Sequence, residues 1–156
     1  MGKRNLSALS IALCQYVLGK LPGERIPEIA MTLLEDGNEN DELIELVGMK
    51  NPAMADVEDV FLRGLNKLGI HLPSVDDATV YLAKKIAKKI IDGKIKPYDG
   101  AHEIWWDLAN IENADKRLKV FVGLSSEYED ITSHESRKCY EKEILKEAYI
   151  LLEERA

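Results

Sequence analysis

Apolar residues recur three and four positions apart along most of the 156-residue chain, which is the spacing of one face of an α-helix. The clearest example is the segment 54–68. Its apolar positions are Val57, Val60, Phe61, Leu65 and Leu68. Strand-like alternation of apolar and polar residues is almost absent. The pattern therefore predicts an all-α fold of about eight helices, arranged as a single bundle or as a short stack of helical hairpins.

Turn and capping residues indicate where these helices begin and end. The predicted helices cover about residues 6–18, 24–36, 41–50, 54–68, 76–91, 97–108, 114–128 and 135–155. We expect Asp41 to cap the third helix, and Ser74 or Asp76 to open the fifth. Thr132 and Glu135 have the spacing of a capping box, which predicts the start of the eighth helix. No linker interrupts the series, so residues 1–156 are expected to form one helical domain.

The placement of several apolar and aromatic side chains is also predicted. The predicted inner residues of the third helix are Leu43, Ile44, Leu46 and Val47. In the sixth helix, Trp105 and Trp106 are adjacent and point about 100° apart on an ideal helix. We expect one indole in the core and the other at a surface where it anchors a partner. The alternative is that both indoles pack between helices, and the sequence does not distinguish the two.

The composition is typical of a water-soluble globular protein. Hydrophobic residues make up 46% of the chain and charged residues 31%. Lys3 and Arg4 precede an apolar stretch over 6–18 that superficially resembles a secretory signal. Serine and glutamine interrupt this stretch, no small-x-small cleavage site follows it, and no segment has the ~20 apolar residues of a membrane span. We expect a buried first helix and no membrane association.

The cysteines favour a reducing compartment. Cys14 and Cys139 are the only two, and they lie far apart in the chain. A chain of this length builds its own core and needs no disulfide, so we expect reduced, buried thiols. The predicted location is the cytoplasm.

A metal site is not predicted. His102 and Glu103 begin the His-Glu-x-x-His pattern of zinc proteases, but Trp106 occupies the position of the second histidine. A zinc site needs three or four ligands, and the remaining histidines, His71 and His134, are distant in sequence. We therefore expect no metal and no other cofactor.

Catalytic residues are not predicted either. The chain has no glycine-rich phosphate loop, and Ser125 and Ser126 lack the strand–turn–helix setting of a nucleophile. Paired carboxylates are frequent, but Asp and Glu on helix exteriors are ordinarily solvated surface groups. We expect a protein that is not an enzyme. An unfamiliar site, recognisable as a deep pocket lined by several carboxylates, is the alternative.

The distribution of charge is the strongest functional signal. The chain has a net charge of −7, whereas the segment 24–59 alone carries −9, with eleven acidic residues against Arg25 and Lys50. All of the net negative charge thus falls in the second to fourth helices. This distribution argues against direct binding of nucleic acid. A concentrated acidic surface attracts a basic protein partner and accelerates its encounter, while a surface kept acidic for solubility is the alternative.

Several short motifs between residues 91 and 130 resemble a family of small bacterial helical proteins without an assigned enzymatic activity. They are DGKIKPYDGA at 92–101, IW at 104–105, FVGL at 121–124 and EYED at 127–130. These motifs also have structural explanations. Gly93 is expected to end a helix, Pro97 to start the next, Gly100 to allow close packing and Trp105 to fill the core.

In size, acidity and lack of an active-site motif, the chain also resembles the small immunity proteins of contact-dependent growth inhibition and other polymorphic toxin systems. This resemblance implies a stoichiometric inhibitor whose acidic surface occludes the basic cleft of a cognate toxin, which we expect to be a nuclease. The residues that we assign to the partner interface are Glu35, Asp36, Glu39, Asp41, Glu42, Glu45, Asp56, Glu58 and Asp59, with Trp106 as an anchor.

A helical scaffold or adaptor without a toxin partner is the alternative function. Such a protein would bind its partner through an apolar groove between helix pairs. Salt dependence separates the two functions, because ionic strength screens an acidic docking face and has little effect on an apolar groove.

Overall fold

The computed structural model describes residues 3–154 and confirms the all-α prediction. Eight α-helices and no strand are found within these residues. The helices are α1 Lys3–Val17, α2 Ile26–Glu35, α3 Asp41–Val47, α4 Met54–Lys67, α5 Val75–Ile91, α6 Pro97–Ile104, α7 Lys119–Glu129 and α8 His134–Glu153. Short 3-10 turns at Gly23–Arg25 and Lys116–Leu118 precede α2 and α7.

The chain divides into two compact units, Met1–Pro73 and Ser74–Ala156. In the first unit, α2 packs on α3 and α3 packs on α4. The fully buried side chains of this core include Ile26, Leu43 and Phe61. The Tyr16 ring of α1 meets the Phe61 ring of α4 edge-on, with the centroids 5.8 Å apart. The apolar stripe that predicted α4 is therefore the centre of this unit.

In the second unit, α8 packs along α5, and α6 packs on α7. Small side chains on the two long helices, Ala83 and Ala87 on α5 and Ala148 on α8, are completely buried, so the helices approach closely. Where α6 passes α5, a Cβ at Gly100 would lie only 2.5 Å from side-chain atoms of Ile90. The close packing expected at Gly100 is thus confirmed.

Capping residues differ from the predictions at two of three helices. Ser74 caps α5, as one of the two expected residues, because its hydroxyl accepts the Asp77 N–H. Asn40 rather than Asp41 caps α3: its backbone is extended and its side-chain oxygen accepts the Leu43 N–H at 3.2 Å. At α8 the capping hydroxyl belongs to Ser133, one residue after the predicted Thr132. In both cases the capping residue has an extended backbone and lies directly before the first helical residue, so its side-chain oxygen can accept an N–H of the first turn.

The exposure of individual side chains corrects two further predictions from the sequence. Ile44 was expected to face the core, but 60% of its surface is exposed, while Leu43 and Leu46 on the same helix are completely buried. Cys14 is buried as predicted, whereas Cys139 on α8 is exposed. In the part of the chain that the structure describes, no helix is long and apolar enough to cross a membrane.

Candidate functional site

The predicted acidic residues of the first unit are spread over α2, α3, α4 and the connections between them. Most of them are exposed: Glu35, Glu39, Asp41, Glu45, Asp56, Glu58 and Asp59. Asp36, just after α2, is half-buried, and Glu42 is buried. The structure therefore separates this set into surface carboxylates and one interior carboxylate.

The exposed side of α3 combines acidic and apolar groups. Asp41 and Glu45 are four residues apart and so share one side of the helix, with the exposed Ile44 beside them. Glu39 is exposed in the connection that leads into α3. We call these four residues the α3 surface. An exposed branched apolar side chain surrounded by charged groups has the composition of a protein interface, with an apolar centre and a polar rim.

Glu42 does not belong to this surface, although it was predicted there. Its side chain turns inward from α3, and its Oε1 accepts a hydrogen bond from the Lys67 ammonium of α4 at 2.6 Å. Only 7% of the residue is exposed. The hydrogen bond from Lys67 lowers the pKa of this carboxyl below its ordinary value. Glu42 therefore holds α3 against α4 and is not available to a partner.

The acidic residues at the start of α4 each have a local partner. The Asp56 carboxylate accepts the Ala53 N–H at 3.1 Å and so caps the helix. Asp59 lies 3.4 Å from the Arg63 guanidinium one turn later. These two carboxylates stay exposed, but neighbouring groups already offset part of their charge.

Glu58 connects α4 to α1. Its carboxylate accepts a hydrogen bond from the Tyr16 hydroxyl at 2.6 Å. Burial of the phenol, together with this bond to a negative group, raises the pKa of Tyr16 to about 12. Glu58 thus has a structural role beside any role in binding.

The two tryptophans lie in the second unit, at a break in the regular helix. After Ile104 the chain continues as a π-helical turn over Trp105–Ala109. Within this turn Trp105 is half-buried and Trp106 is 57% exposed, so the prediction that one indole reaches the surface is confirmed for Trp106. Trp105 fills the core only in part. Turns of π-helix are rare and occur frequently at functional sites.

Five aromatic rings form a continuous row that runs from α7 across α6 to this turn. The Tyr128 and Tyr98 rings stack with centroids 4.4 Å apart, and Tyr98 contacts His102 at 5.8 Å. His102 in turn contacts both indoles, whose centroids are 5.3 Å from each other. Tyr98, His102 and the two tryptophans are three or four residues apart, so their common helix face can be recognised from the sequence alone. The contribution of Tyr128 depends on the packing of α7 against α6.

A hydrogen bond fixes the centre of this row. The Tyr98 hydroxyl donates to Glu129 Oε1 at 2.8 Å, and His102 Nε2 lies 3.8 Å from the same oxygen. Partial burial of the phenol and its bond to Glu129 raise the pKa of Tyr98 to about 12. The ring is therefore held in one orientation by a carboxylate of the following helix.

A small apolar recess lies between α1 and α2 in the first unit. Its volume is about 100 Å³, and its apolar walls include Leu9, Ala12 and Ile29. Arg25 and Glu28 line it as well, and the two form an ion pair at 3.2 Å. A recess of this size accepts a single apolar side chain rather than a drug-sized ligand, for which pockets of ~300–1,000 Å³ are typical.

Neither a metal site among the described residues nor a known relative points to a function. Among the described residues, no group of three or more His, Cys, Asp or Glu side chains is placed to hold a metal ion. No protein-family model, curated protein or solved structure matches the sequence or the fold. The exposed surfaces described above are therefore the features that bear on function.

Proposed function

We propose that this protein is an immunity protein, which binds a cognate toxin through the acidic α3 surface and covers the toxin's active-site cleft. The observation that carries the proposal is the exposed Ile44 among Glu39, Asp41 and Glu45. Ile44 is the most exposed large apolar side chain among the described residues, and its burial against a partner would be favourable.

The chemistry of the toxin follows from the charge. A nuclease needs a basic cleft to hold the phosphates of its substrate. An acidic inhibitor uses the positive charge that such an enzyme cannot lose without losing its substrate. The proposed mechanism is stoichiometric occlusion: the carboxylates steer the two proteins together, and Ile44 makes the desolvated central contact.

The test is co-expression with the product of the adjacent upstream reading frame. We expect the two proteins to co-purify as a one-to-one complex and the partner's toxicity to be lost in cells that make both. Asp41→Lys with Glu45→Lys should weaken the complex and restore toxicity. Glu42 is left unchanged, because reversing a buried, paired carboxylate would disturb the fold whether or not it touches a partner.

The matched control reverses the same amount of charge on another helix. Glu135→Lys with Glu143→Lys changes two exposed carboxylates of α8. This control should keep full protection. Ile44→Ser provides a second test without any change of charge, since the side chain is mostly exposed and its loss should leave the fold intact. Equal protection by all three variants would contradict the assignment of the α3 surface, and a partner that is harmless when expressed alone would contradict the immunity function.

The recess between α1 and α2 favours a second function, that of a helical adaptor. An amphipathic helix of a partner could insert one apolar anchor between Leu9 and Ile29. For this function we expect binding to persist at high salt and to be lost on Ala12→Leu, which fills the recess. Binding through the α3 surface should instead slow markedly between 0.05 M and 0.5 M salt, as the Debye length shortens from ~14 to ~4 Å.

A further inference from the structure

The exposed side of α6 and of the π-helical turn joins an aromatic ring to several carboxylates. Asp99, Glu103 and Asp107 are spaced four residues apart, and Trp106 falls between the last two. We call these four residues the Trp106 face. The segment 97–115 contains five acidic residues and no Lys or Arg. Asp115 pairs with Arg117 and Asp107 has an interaction of its own within the protein, so Asp99 and Glu103 are the carboxylates that this face offers to a partner.

Two aromatic rings of the second unit, one of them in this row, make cation–π contacts. At the α7 end of the row, the Arg137 guanidinium lies over the Tyr128 ring, 5.3 Å from its centroid. On α5, the Lys85 ammonium lies over Tyr81 at 5.2 Å. No Lys or Arg within the described residues lies over the Trp106 ring. Of the five rings of the row, only Tyr128 carries such a cation from the described part of the chain, and Trp106 is the most exposed of the other four. Indole is also the best of the aromatic side chains for such contacts.

We propose that the Trp106 face binds an arginine-rich segment of a protein partner. A guanidinium stacks on the indole while neighbouring arginines pair with Asp99 and Glu103. Arginine is favoured over lysine because its planar guanidinium both stacks on a ring and binds carboxylates through two N–H groups. Bases of single-stranded nucleic acid also stack on tryptophan, but these carboxylates repel phosphates. The inference concerns the second unit alone and does not depend on the α3 surface.

The test uses intrinsic fluorescence, because Trp105 and Trp106 are the only tryptophans in the chain and both lie at this site. The full-length protein is titrated with a short peptide of alternating Arg and Gly. We expect a saturable change in tryptophan emission and weaker binding of the corresponding Lys–Gly peptide. A Glu–Gly peptide and oligothymidylate should produce no change.

Substitutions in the Trp106 face test whether the peptide binds there. Measured by anisotropy of a labelled Arg–Gly peptide, Trp106→Ala should raise the dissociation constant at least about tenfold, which is about 1.4 kcal/mol. Asp99→Asn with Glu103→Gln should weaken binding and reduce its salt dependence. Trp105→Phe keeps the exposed indole as the sole reporter and should retain the signal. Because Trp106 is mostly exposed, its loss should not change the thermal midpoint.

Two results would overturn the inference. One is binding that Trp106→Ala leaves intact and that Asp41→Lys with Glu45→Lys removes, since the peptide would then lie on the α3 surface. The other is tighter binding of oligothymidylate than of the Arg–Gly peptide, which would make the face a nucleic-acid site. Neither result bears on toxin protection, which is measured with a different partner and different variants.

Discussion

The Lys67 ammonium and the Glu42 carboxylate, 2.6 Å apart, join the last turn of α4 to the first turn of α3. The second carboxylate oxygen, Oε2, is buried and accepts no hydrogen bond from the residues that the structure describes. The pair is therefore held by one strong contact. Glu42 is buried together with Leu43 and Leu46, which leaves the side of this short helix with Asp41, Ile44 and Glu45 facing water.

Removing the cation should destabilise the protein. In Lys67→Met the Glu42 carboxylate stays buried without its counter-ion, so the free energy of unfolding should fall. Lys50→Met removes an exposed lysine of the same unit and serves as the matched control, with an expected change within about 0.5 kcal/mol. Urea unfolding at neutral pH measures both. Equal midpoints for the two variants would show that the ion pair contributes nothing.

Acid should weaken the second unit through Asp115. Its carboxylate accepts hydrogen bonds from Arg117 Nε and Nη2, both at 3.0 Å, and these bonds lower the pKa of Asp115 below its ordinary value of 3.8. A carboxyl whose pKa is lower in the folded state than in the unfolded state stabilises the fold at pH values above its unfolded-state pKa. This stabilisation is lost as the pH falls through the folded-state pKa.

The pH dependence can be measured by urea unfolding between pH 7 and pH 2. Asp115→Asn should lower stability at pH 7 and flatten its decline below about pH 4. Arg117→Gln should have the same two effects. The variant with both substitutions should lose about as much stability as the more destabilised single variant, to within about 0.5 kcal/mol. Additive losses would mean that the two residues act separately.

Thr79 is a buried hydroxyl that connects two segments of the second unit. It donates to the Asp76 carbonyl at 2.8 Å and accepts the Asp115 N–H at 3.1 Å. Thr79→Val keeps the shape and removes the acceptor, so about 1–3 kcal/mol of stability should be lost with the unsatisfied N–H. Thr32→Val is the control, because the Thr32 hydroxyl only donates to a carbonyl of its own helix. Similar losses in both variants would contradict the role of Thr79.

Two glycines of the second unit should respond oppositely to alanine. Gly100→Ala brings a Cβ to 2.5 Å from Ile90, so α6 or Ile90 must shift, at a cost of about 1–3 kcal/mol. At Gly123, in the middle of α7, a Cβ meets no atom within 4 Å. Gly123→Ala should stabilise the helix by about 0.5–1 kcal/mol. Thermal unfolding compares the two variants, and a neutral Gly100→Ala would show that Ile90 or α6 shifts at little cost.

Much of the candidate site was predictable because it depends on local properties. The acidic segment follows from a count of charges, and the exposure of one tryptophan follows from the angle between adjacent helical positions. The prediction failed at Glu42 and Ile44, which are two residues apart on α3. A seven-residue helix with apolar positions on several sides does not reveal which side its neighbours cover.

The all-α fold, most helix positions and the concentration of negative charge follow from the amino-acid sequence, because helical periodicity, turn residues and charge are properties of short segments. The contact of Glu42 with Lys67, 25 residues away, and the stacking of Tyr128 of α7 on Tyr98 of α6 are visible only in the folded chain. Such pairs depend on how whole helices pack, which is set by the sum of many small contacts distributed over the chain. No single segment encodes that sum.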